Sequence, residues 1–268
     1  MKITEITDLN APKLQPYRTL RRSVEHQRSG VFVAEGDKVV RRLLESNYEI
    51  VSALMTPQWL DQFRSSLESR NNLDVFVADK KVVEDIVGYH LHQGIMAVGR
   101  IPRPLSLDDV LKAKRPYLFV ALDGLTNSEN LGVLVRNCAA FGVQGILVGE
   151  TSSSPYLRRA VRNSMGAVFK TPILHCTSLV NTIKELQSHG FKVIAAHPQS
   201  RKASFSEISL KMDCCIVFGS EGSGVSQDVL DVCDAQIAVA MQNGVDSLNV
   251  ASASAVFLFE AARQRGML

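Results

Sequence analysis

Short apolar runs alternate with amphipathic stretches along the first hundred residues of the chain. The apolar runs predict strands at 31–34, 50–55, 73–78 and 93–98. Between these strands, apolar residues recur at helical spacing and predict helices over 37–46, 59–67 and 80–87. The alternation predicts a small α/β domain.

Pro102 and Pro104 mark the end of this region. Prolines at this spacing favour an extended, semi-rigid chain, which is typical of a domain boundary. A length of 268 residues also fits two domains. We therefore predict an N-terminal domain over residues 1–102 and a second domain over residues 103–268.

The second half repeats the alternation with more strongly apolar strands. These strands are predicted at 117–122, 145–148, 191–196, 214–218 and 236–239. Helices are predicted between and after them, over 131–141, 155–165, 179–189 and 248–263. Nearly continuous apolar strands are typical of a parallel sheet that is covered on both faces. The fold class predicted for both halves is therefore α/β.

Composition and charge narrow the class of protein without identifying a partner. Apolar residues make up 46% of the chain and charged residues 21%, which is the balance of a soluble globular protein. The net charge of +3 permits an anionic partner but does not establish one. The five cysteines include no C-x-x-C pair, so we expect buried free thiols in a reducing compartment. Residues 1–10 lack an apolar signal core, and no apolar run reaches the ~20 residues of a membrane span, so we predict a cytoplasmic location.

A polar loop after the strand at 117–122 is the first candidate for chemistry, because open α/β sheets bind ligands beyond the carboxyl ends of their strands. The loop leads into a predicted helix near Asn130, a residue type that caps helices well. Arg136 follows six residues later within an apolar stretch. A charge in such surroundings needs either an anionic partner or a route to solvent, and the sequence leaves both open.

Two further loops follow later strands. Residues 219–224 read Gly-Ser-Glu-Gly-Ser-Gly, and glycines allow a ligand to approach the backbone closely. Their order is not the dinucleotide pattern G-x-G-x-x-G, and no Gly-Lys pair exists for a Walker A loop. Residues 244–250 open a helix rich in small residues, for which Ser247 is the expected cap. Each loop taken alone is also compatible with an ordinary structural turn.

Taken in order, the three loops resemble the signature motifs of the SpoU/TrmH family of RNA methyltransferases in the SPOUT superfamily. The likeness is carried by Asn130-Leu131-Gly132 with Arg136, by residues 219–224, and by Ser247-Leu248-Asn249-Val250. It extends over residues 116–264. The chain departs from the family at Asn127-Ser128, where Asp-Pro is usual, and at Val239-Ala240-Met241, where Ile-Pro-Met is usual.

The resemblance implies a fold and an activity. It implies a deep trefoil knot, a homodimer that completes each active site, and transfer of a methyl group from S-adenosylmethionine to a ribose 2′-hydroxyl of RNA without a metal. It places cofactor binding at Gly219, Val239 and Leu248. The catalytic polar set that it implies consists of Arg136, Asn130, Glu221, Ser247 and Asn249. A guanidinium with a pKa above about 12 is a poor base, so we expect Arg136 to orient a phosphate and stabilise the developing alkoxide. Asn130, Ser247 and Asn249 are then expected to hold Arg136 and the loops in place, and Glu221 to fix the second loop, from the same subunit or from its partner.

Binding of RNA requires a positive surface, and two stretches supply one. Residues 1–30 contain six Lys or Arg against three acids, and residues 151–184 contain no acid. The predicted RNA-binding residues are Arg18, Arg21, Arg22, Arg158, Arg159 and Arg162. The alternative for each stretch is a solvated face that pairs with acids elsewhere in the chain. The first hundred residues resemble, more loosely, the ribosomal-protein-like RNA-binding domain that many family members carry. A separate domain of this kind favours ribosomal RNA over tRNA as the substrate.

Two other hypotheses remain. A catalytically silent RNA-binding or ribosome-assembly factor would bind RNA without methyl transfer, although the intact polar set argues against it. A dinucleotide-dependent oxidoreductase would also use an α/β sheet, but the missing G-x-G-x-x-G weighs against that class.

Overall fold

The computed structural model describes residues 1–70, 72–91, 93–112, 114–198, 205 and 207–268. The chain divides into two compact units. The first contains Met1–Arg103 and Tyr156–Lys170, and the second contains Pro104–Pro155 and Thr171–Leu268. The domains predicted from the sequence place residues 156–170 with the second half of the chain, whereas the compact units place them with the first.

The secondary structure is numbered along the chain. The strands are β1 (Lys2–Glu5), β2 (Val31–Glu35), β3 (Ile50–Met55), β4 (Asp74–Val77), β5 (Ile95–Arg100), β6 (Leu118–Leu122), β7 (Gly145–Val148), β8 (Ile173–His175), β9 (Lys192–Ala196), β10 (Cys214–Phe218) and β11 (Ala235–Ile237). The α-helices are α1 (Gln15–Arg18), α2 (Ser23–Arg28), α3 (Asp37–Leu44), α4 (Pro57–Glu68), α5 (Lys80–Val87), α6 (Leu107–Val110), α7 (Ser128–Ala140), α8 (Arg158–Asn163), α9 (Leu179–Ser188), α10 (Gln227–Val232) and α11 (Val250–Gln264). Short 3-10 helices lie at Pro12–Leu14 and Ala167–Phe169.

The first unit is built on a mixed sheet with the strand order β1-β4-β3-β5-β2. Strand β3 pairs parallel to β4 and antiparallel to β5, which also pairs antiparallel to β2. Strand β2 is buried along its whole length, whereas every residue of β1 at the opposite edge is exposed. The predicted strands of the N-terminal half are all present, and β1 is an additional strand that the apolar pattern did not indicate.

Aromatic side chains join residues 156–170 to the rest of the first unit. Phe32 of β2 lies with its ring centroid 5.7 Å from that of Tyr156 and 5.4 Å from that of Phe169. The hydroxyls of Tyr48 and Tyr156 lie 3.0 Å apart. Aromatic clusters of this kind bury much apolar surface, which explains why this segment packs with the first unit although it follows β7 in sequence.

The second unit is built on a parallel sheet with the strand order β11-β9-β10-β6-β7-β8. The residues of its central strands β6 and β10 are all buried, as a sheet covered on both faces requires. This confirms the prediction of an α/β fold with a parallel sheet in the second half. The parallel strands bring the carboxyl ends of β6, β9, β10 and β11 to one edge.

The five cysteines are free, and four of them are buried, which confirms the expectation of buried thiols. Burial raises the pKa of the thiols at Cys138, Cys176, Cys214, Cys215 and Cys233. None of the helices in the described ranges has the length and apolar character needed to cross a membrane.

Candidate active site

A cavity of ≈ 540 Å³ lies at the carboxyl ends of β9, β10 and β11 in the second unit. Its volume falls in the range of pockets that hold small ligands, about 300–1,000 Å³. Phe218, Ile237 and Phe257 provide apolar lining, and the loop 219–224 provides polar groups. The sequence predicts cofactor contacts at Gly219, Val239 and Leu248, and all three residues line this cavity.

The loop 219–224 closes on itself through backbone hydrogen bonds. Ser220 N donates to Gly224 O at 3.0 Å, and Gly224 N donates to Ser220 O at 3.1 Å. A Cβ atom on Gly219 would lie only 2.1 Å from the carbonyl carbon of Gly224. Only glycine therefore fits at position 219, because any side chain there would overlap the backbone of the same turn.

Asp123, directly after β6, makes hydrogen bonds to the residues that flank this loop on either side. Its carboxylate accepts a hydrogen bond of 2.6 Å from the backbone N–H of Ser226, and its own N–H donates to Phe218 O at 2.9 Å. Asp123 is buried. No role is predicted for Asp123 from the sequence, although an acid directly after a buried strand is a signal that could have identified it.

Helix α7 begins at Ser128 and is capped by Asn127, whose side chain accepts hydrogen bonds from the N–H groups of Glu129 and Asn130 at 2.9 and 3.2 Å. The expectation that Asn130 is the cap was wrong. Because Asn127 already accepts hydrogen bonds from the first N–H groups of the helix, the side chain of Asn130 is left to make contacts outside the helix.

The side chains of Asn130, Glu221 and Asn249 join the three loops. Asn249 Nδ2 donates to Glu221 Oε1 at 2.7 Å and to Asn130 Oδ1 at 3.1 Å, and Asn130 Nδ2 donates to the same Glu221 oxygen. Asn249 also caps α11, since its Oδ1 accepts a 2.9 Å bond from Ala251 N. The expectation that Ser247 caps this helix was therefore wrong.

Ser247 and Arg136 lie outside this hydrogen-bonded set of side chains. Ser247 is exposed and lines the cavity. Arg136 lies on α7, about 120° around the helix from Asn130, and it is exposed. Within the described ranges it makes no hydrogen bond or ion pair, so the route to solvent, one of the two options left open by the sequence, is the one observed. Asn130 and Asn249 bind each other and Glu221 rather than Arg136.

The predicted RNA-binding arginines lie in the first unit. Arg18, Arg21 and Arg22 are exposed on and beside α1 and α2. Arg159 is also exposed.

Arg158 and Arg162 both bind the carboxylate of Glu35, which is buried at the end of β2. The side chain of Arg158 is only 18% exposed and that of Arg162 is 54% exposed. Tyr89 donates a further bond of 3.1 Å to Glu35; burial and the nearby Glu35 charge raise its pKa to about 12, so the hydroxyl keeps its proton. Arg158 and Arg162 thus pair with an acid elsewhere in the chain, which is the alternative to RNA contact that the sequence left open.

No group of three or more His, Cys, Asp or Glu residues in the described part of the chain is placed to hold a metal ion. His92 lies outside that part.

Comparison with known proteins shows similarity over both halves of the chain. Residues 117–259 match the SpoU rRNA Methylase family, and residues 11–97 match an MRM3-like substrate binding domain. The 23S rRNA (guanosine-2′-O-)-methyltransferase RlmB of Vibrio vulnificus is 33% identical over 69% of this chain and 76% of its own. An uncharacterised tRNA/rRNA methyltransferase of Mycobacterium tuberculosis is 28% identical over 98% of this chain and 93% of its own. The AdoMet-bound rRNA methyltransferase of Sinorhizobium meliloti superposes with a TM-score of 0.84 at 25% identity, covering 97% of this chain and 98% of its own.

Proposed function

The chain belongs to the SpoU rRNA methylase family, and on that premise we propose that it is an S-adenosylmethionine-dependent RNA methyltransferase that acts on a ribose 2′-hydroxyl of ribosomal RNA. The observation that carries the proposal is the hydrogen-bonded set of Asn130, Glu221 and Asn249, which ties the three loops together beside the cavity. A relative whose name specifies guanosine-2′-O methylation of 23S rRNA supports the reaction and the RNA class.

The residues of the cavity suit S-adenosylmethionine. Gly219 lines the cavity without a side chain, and Val239 and Leu248 add apolar surface. When bound, this cosubstrate supplies a methyl group on a positively charged sulfur. The chain therefore has only to align the ribose oxygen and to handle its charge and proton.

Arg136 is proposed as the group that orients the RNA phosphate and stabilises the alkoxide that develops on the ribose oxygen. An exposed guanidinium without a partner in the described residues is available for an incoming anion, and its planar fork suits a phosphate. Asn130, Glu221 and Asn249 hold the loops in their relative positions, and Ser247 contributes a hydroxyl at the cavity wall.

A homodimer through α7 and α11 is part of the proposal. The two helices pack together, with Asn137 Nδ2 donating to Ala251 O at 2.8 Å. Their outer face exposes Val133, Val256 and Phe259, of which Phe259 is 50% exposed. Apolar side chains clustered at a surface favour a protein partner. Arg136 lies on the same side of α7 as Val133, one turn further on, so the interface would place it against the second copy.

The first unit is proposed to bind the RNA outside the target nucleotide. Its match to a substrate binding domain and the exposed Arg18, Arg21, Arg22 and Arg159 support this role. Ribosomal RNA is preferred over tRNA because this separate domain is present. The trefoil knot and the cytoplasmic location remain predictions from the sequence.

The test is transfer of labelled methyl from S-adenosylmethionine to unmodified ribosomal RNA and tRNA, by the wild-type protein and by Arg136→Ala and Arg136→Lys. Resistance of the methylated nucleotide to alkaline cleavage maps the label to a ribose 2′-oxygen. We expect the wild type to label ribosomal RNA. The rate of methyl transfer should fall roughly 100-fold or more in Arg136→Ala. Arg136→Lys should keep partial activity, because lysine retains the positive charge but not the planar group that donates two hydrogen bonds to one phosphate.

Label on a base rather than a ribose would overturn the 2′-hydroxyl assignment, and label on tRNA alone would overturn the choice of RNA. Binding of RNA without label on either substrate would favour the catalytically silent RNA-binding factor.

A further inference from the structure

His197 is the first residue after β9, at the carboxyl edge of the parallel sheet. Its backbone N–H donates to Ile237 O at 2.9 Å, which fixes the residue beside β11. His197 lines the cavity together with Gly219 and Leu248. The imidazole therefore sits between the elements that carry the second and third loops, although no sequence motif singles it out.

No hydrogen bond from the described residues anchors the imidazole of His197. Its Nδ1 is buried without a hydrogen-bond partner, and it lies beside Gly224, where an added Cβ would be 3.9 Å away. A buried polar atom that lacks a partner destabilises the ligand-free fold. Because no side-chain bond to a described residue holds the ring, it can turn about its Cβ–Cγ bond when a ligand offers a partner.

We propose that the imidazole of His197 hydrogen-bonds a ribose hydroxyl of S-adenosylmethionine. A hydroxyl can donate or accept, so it satisfies either neutral tautomer of the ring. The charged methionine end of the ligand would instead favour a charged partner. The inference rests on the proposed function, since it requires this cavity to be the site of the methyl donor. His197 is thus a positioning residue for the cosubstrate.

The test uses calorimetric titration with S-adenosylhomocysteine, the demethylated product, on the full chain. His197→Leu removes the hydrogen bond at similar volume, and His197→Asn keeps a polar group near the position of Nδ1. His189→Leu is the matched control, because His189 is exposed at the end of α9, away from the cavity. We expect roughly 10-fold weaker binding for His197→Leu, recovery of most of the affinity in His197→Asn, and no change in His189→Leu.

Two further readouts separate a hydrogen bond from a change of shape. The 2′-deoxy and 3′-deoxy analogues of S-adenosylhomocysteine should bind the wild type more weakly than S-adenosylhomocysteine does. For the analogue that lacks the contacted hydroxyl, His197→Leu should not weaken binding any further. Without ligand, His197→Leu should melt roughly 2–4 °C higher than the wild type, because the unpartnered nitrogen is gone.

The inference and the proposed function fail in different ways. Equal affinity of wild type and His197→Leu for S-adenosylhomocysteine overturns the inference alone. If His197→Leu weakens the binding of both deoxy analogues as much as it weakens the binding of S-adenosylhomocysteine, the ribose contact is overturned. A wild-type protein that binds no S-adenosylhomocysteine overturns the proposed function, and the inference with it.

Discussion

Asn127 and Asn249 both cap helices, but only the side chain of Asn249 also binds residues of other loops. Asn127 uses its oxygen for the N–H groups of α7. Asn249 does the same for α11, and its Nδ2 group also binds Asn130 and Glu221. An amide has both a donor and an acceptor end, so one asparagine can stabilise a helix terminus and a neighbouring loop together.

Asn249→Ala should therefore lower activity as well as stability. We expect the free energy of unfolding to fall by about 1 kcal/mol from the lost cap, and methyl transfer to fall further because the loops lose their link. Ser178→Ala is the control, since Ser178 caps α9 in the same way without touching the cavity. Thermal melting and labelled methyl transfer measure the two effects. Equal activity in the two variants would contradict a role for this link.

Gly219→Ala should disrupt the loop itself. The added Cβ would overlap the backbone at Gly224, which cannot move away as a flexible side chain could. We expect a destabilisation of about 3 kcal/mol and loss of S-adenosylhomocysteine binding by titration. Gly222→Ala in the same loop meets no atom within 4 Å, so its melting temperature should stay close to that of the wild type. A stable Gly219→Ala would show that the turn can open.

At the level of elements, Glu35 connects β2 to α8 within the first unit. Its carboxylate is buried and receives hydrogen bonds from Arg158, Arg162 and Tyr89. Removing one partner of a buried ion pair leaves the other charge without compensation, which costs far more than breaking a pair in solvent. The position of α8 thus depends on an acid more than a hundred residues away in sequence.

Glu35→Gln should destabilise the protein by about 3 kcal/mol, because the guanidinium of the mostly buried Arg158 loses its counter-charge. The control is Glu49→Gln, which removes a solvent-exposed pair with Arg100 and should change stability by less than about 1 kcal/mol. Denaturant unfolding of both variants gives the comparison. An equally small change in the free energy of unfolding for Glu35→Gln and Glu49→Gln would mean that the Glu35 ion pairs do not stabilise the fold.

Longer elements that bury an apolar face were predictable from the sequence, whereas the short elements α6, α10 and β8 and the exposed strand β1 were not. The strands of the parallel sheet appear in the sequence as apolar runs, except for β8, in which only Ile173 and Leu174 are apolar and His175 is exposed. Strand β1 is exposed on every residue, so no alternation marks it. The helix predicted over 155–165 is shorter in the structure, at Arg158–Asn163, because residues 166–169 form a glycine turn and a 3-10 helix.

The motifs bring Asn130, Glu221 and Asn249 into one predicted set, but the hydrogen bonds among them could not be predicted from the sequence. The resemblance identified Asn130, Glu221 and Asn249 from their motifs, but which amide caps a helix depends on where that helix begins. A boundary shift of three residues, from Asn130 to Asn127, changes the role of both. His197 carried no sequence signal, because only the folded chain brings a residue after β9 to the cavity.

For the whole molecule, the exposed apolar face of α7 and α11 predicts that Phe259→Glu prevents dimer formation. A carboxylate buried in an apolar interface would lack a partner. We expect light scattering coupled to size-exclusion chromatography to report a dimer for the wild type and a monomer for the variant. Val24→Glu, at an exposed valine of the first unit, should leave the oligomeric state unchanged. A wild-type monomer would contradict the proposed dimer.

Because residues 156–170 belong to the first unit, the polypeptide passes between the two units after residues 103, 155 and 170. Consequently, no single continuous segment of the chain shorter than residues 1–170 contains the whole first unit. A polypeptide ending at Arg103 would leave Phe32 and Tyr48 without the aromatic rings of Tyr156 and Phe169, and Glu35 without its arginines. Such a fragment should be insoluble when expressed by itself, and it should dissolve only when residues 156–170 are supplied, as a fused tail or as a separate peptide.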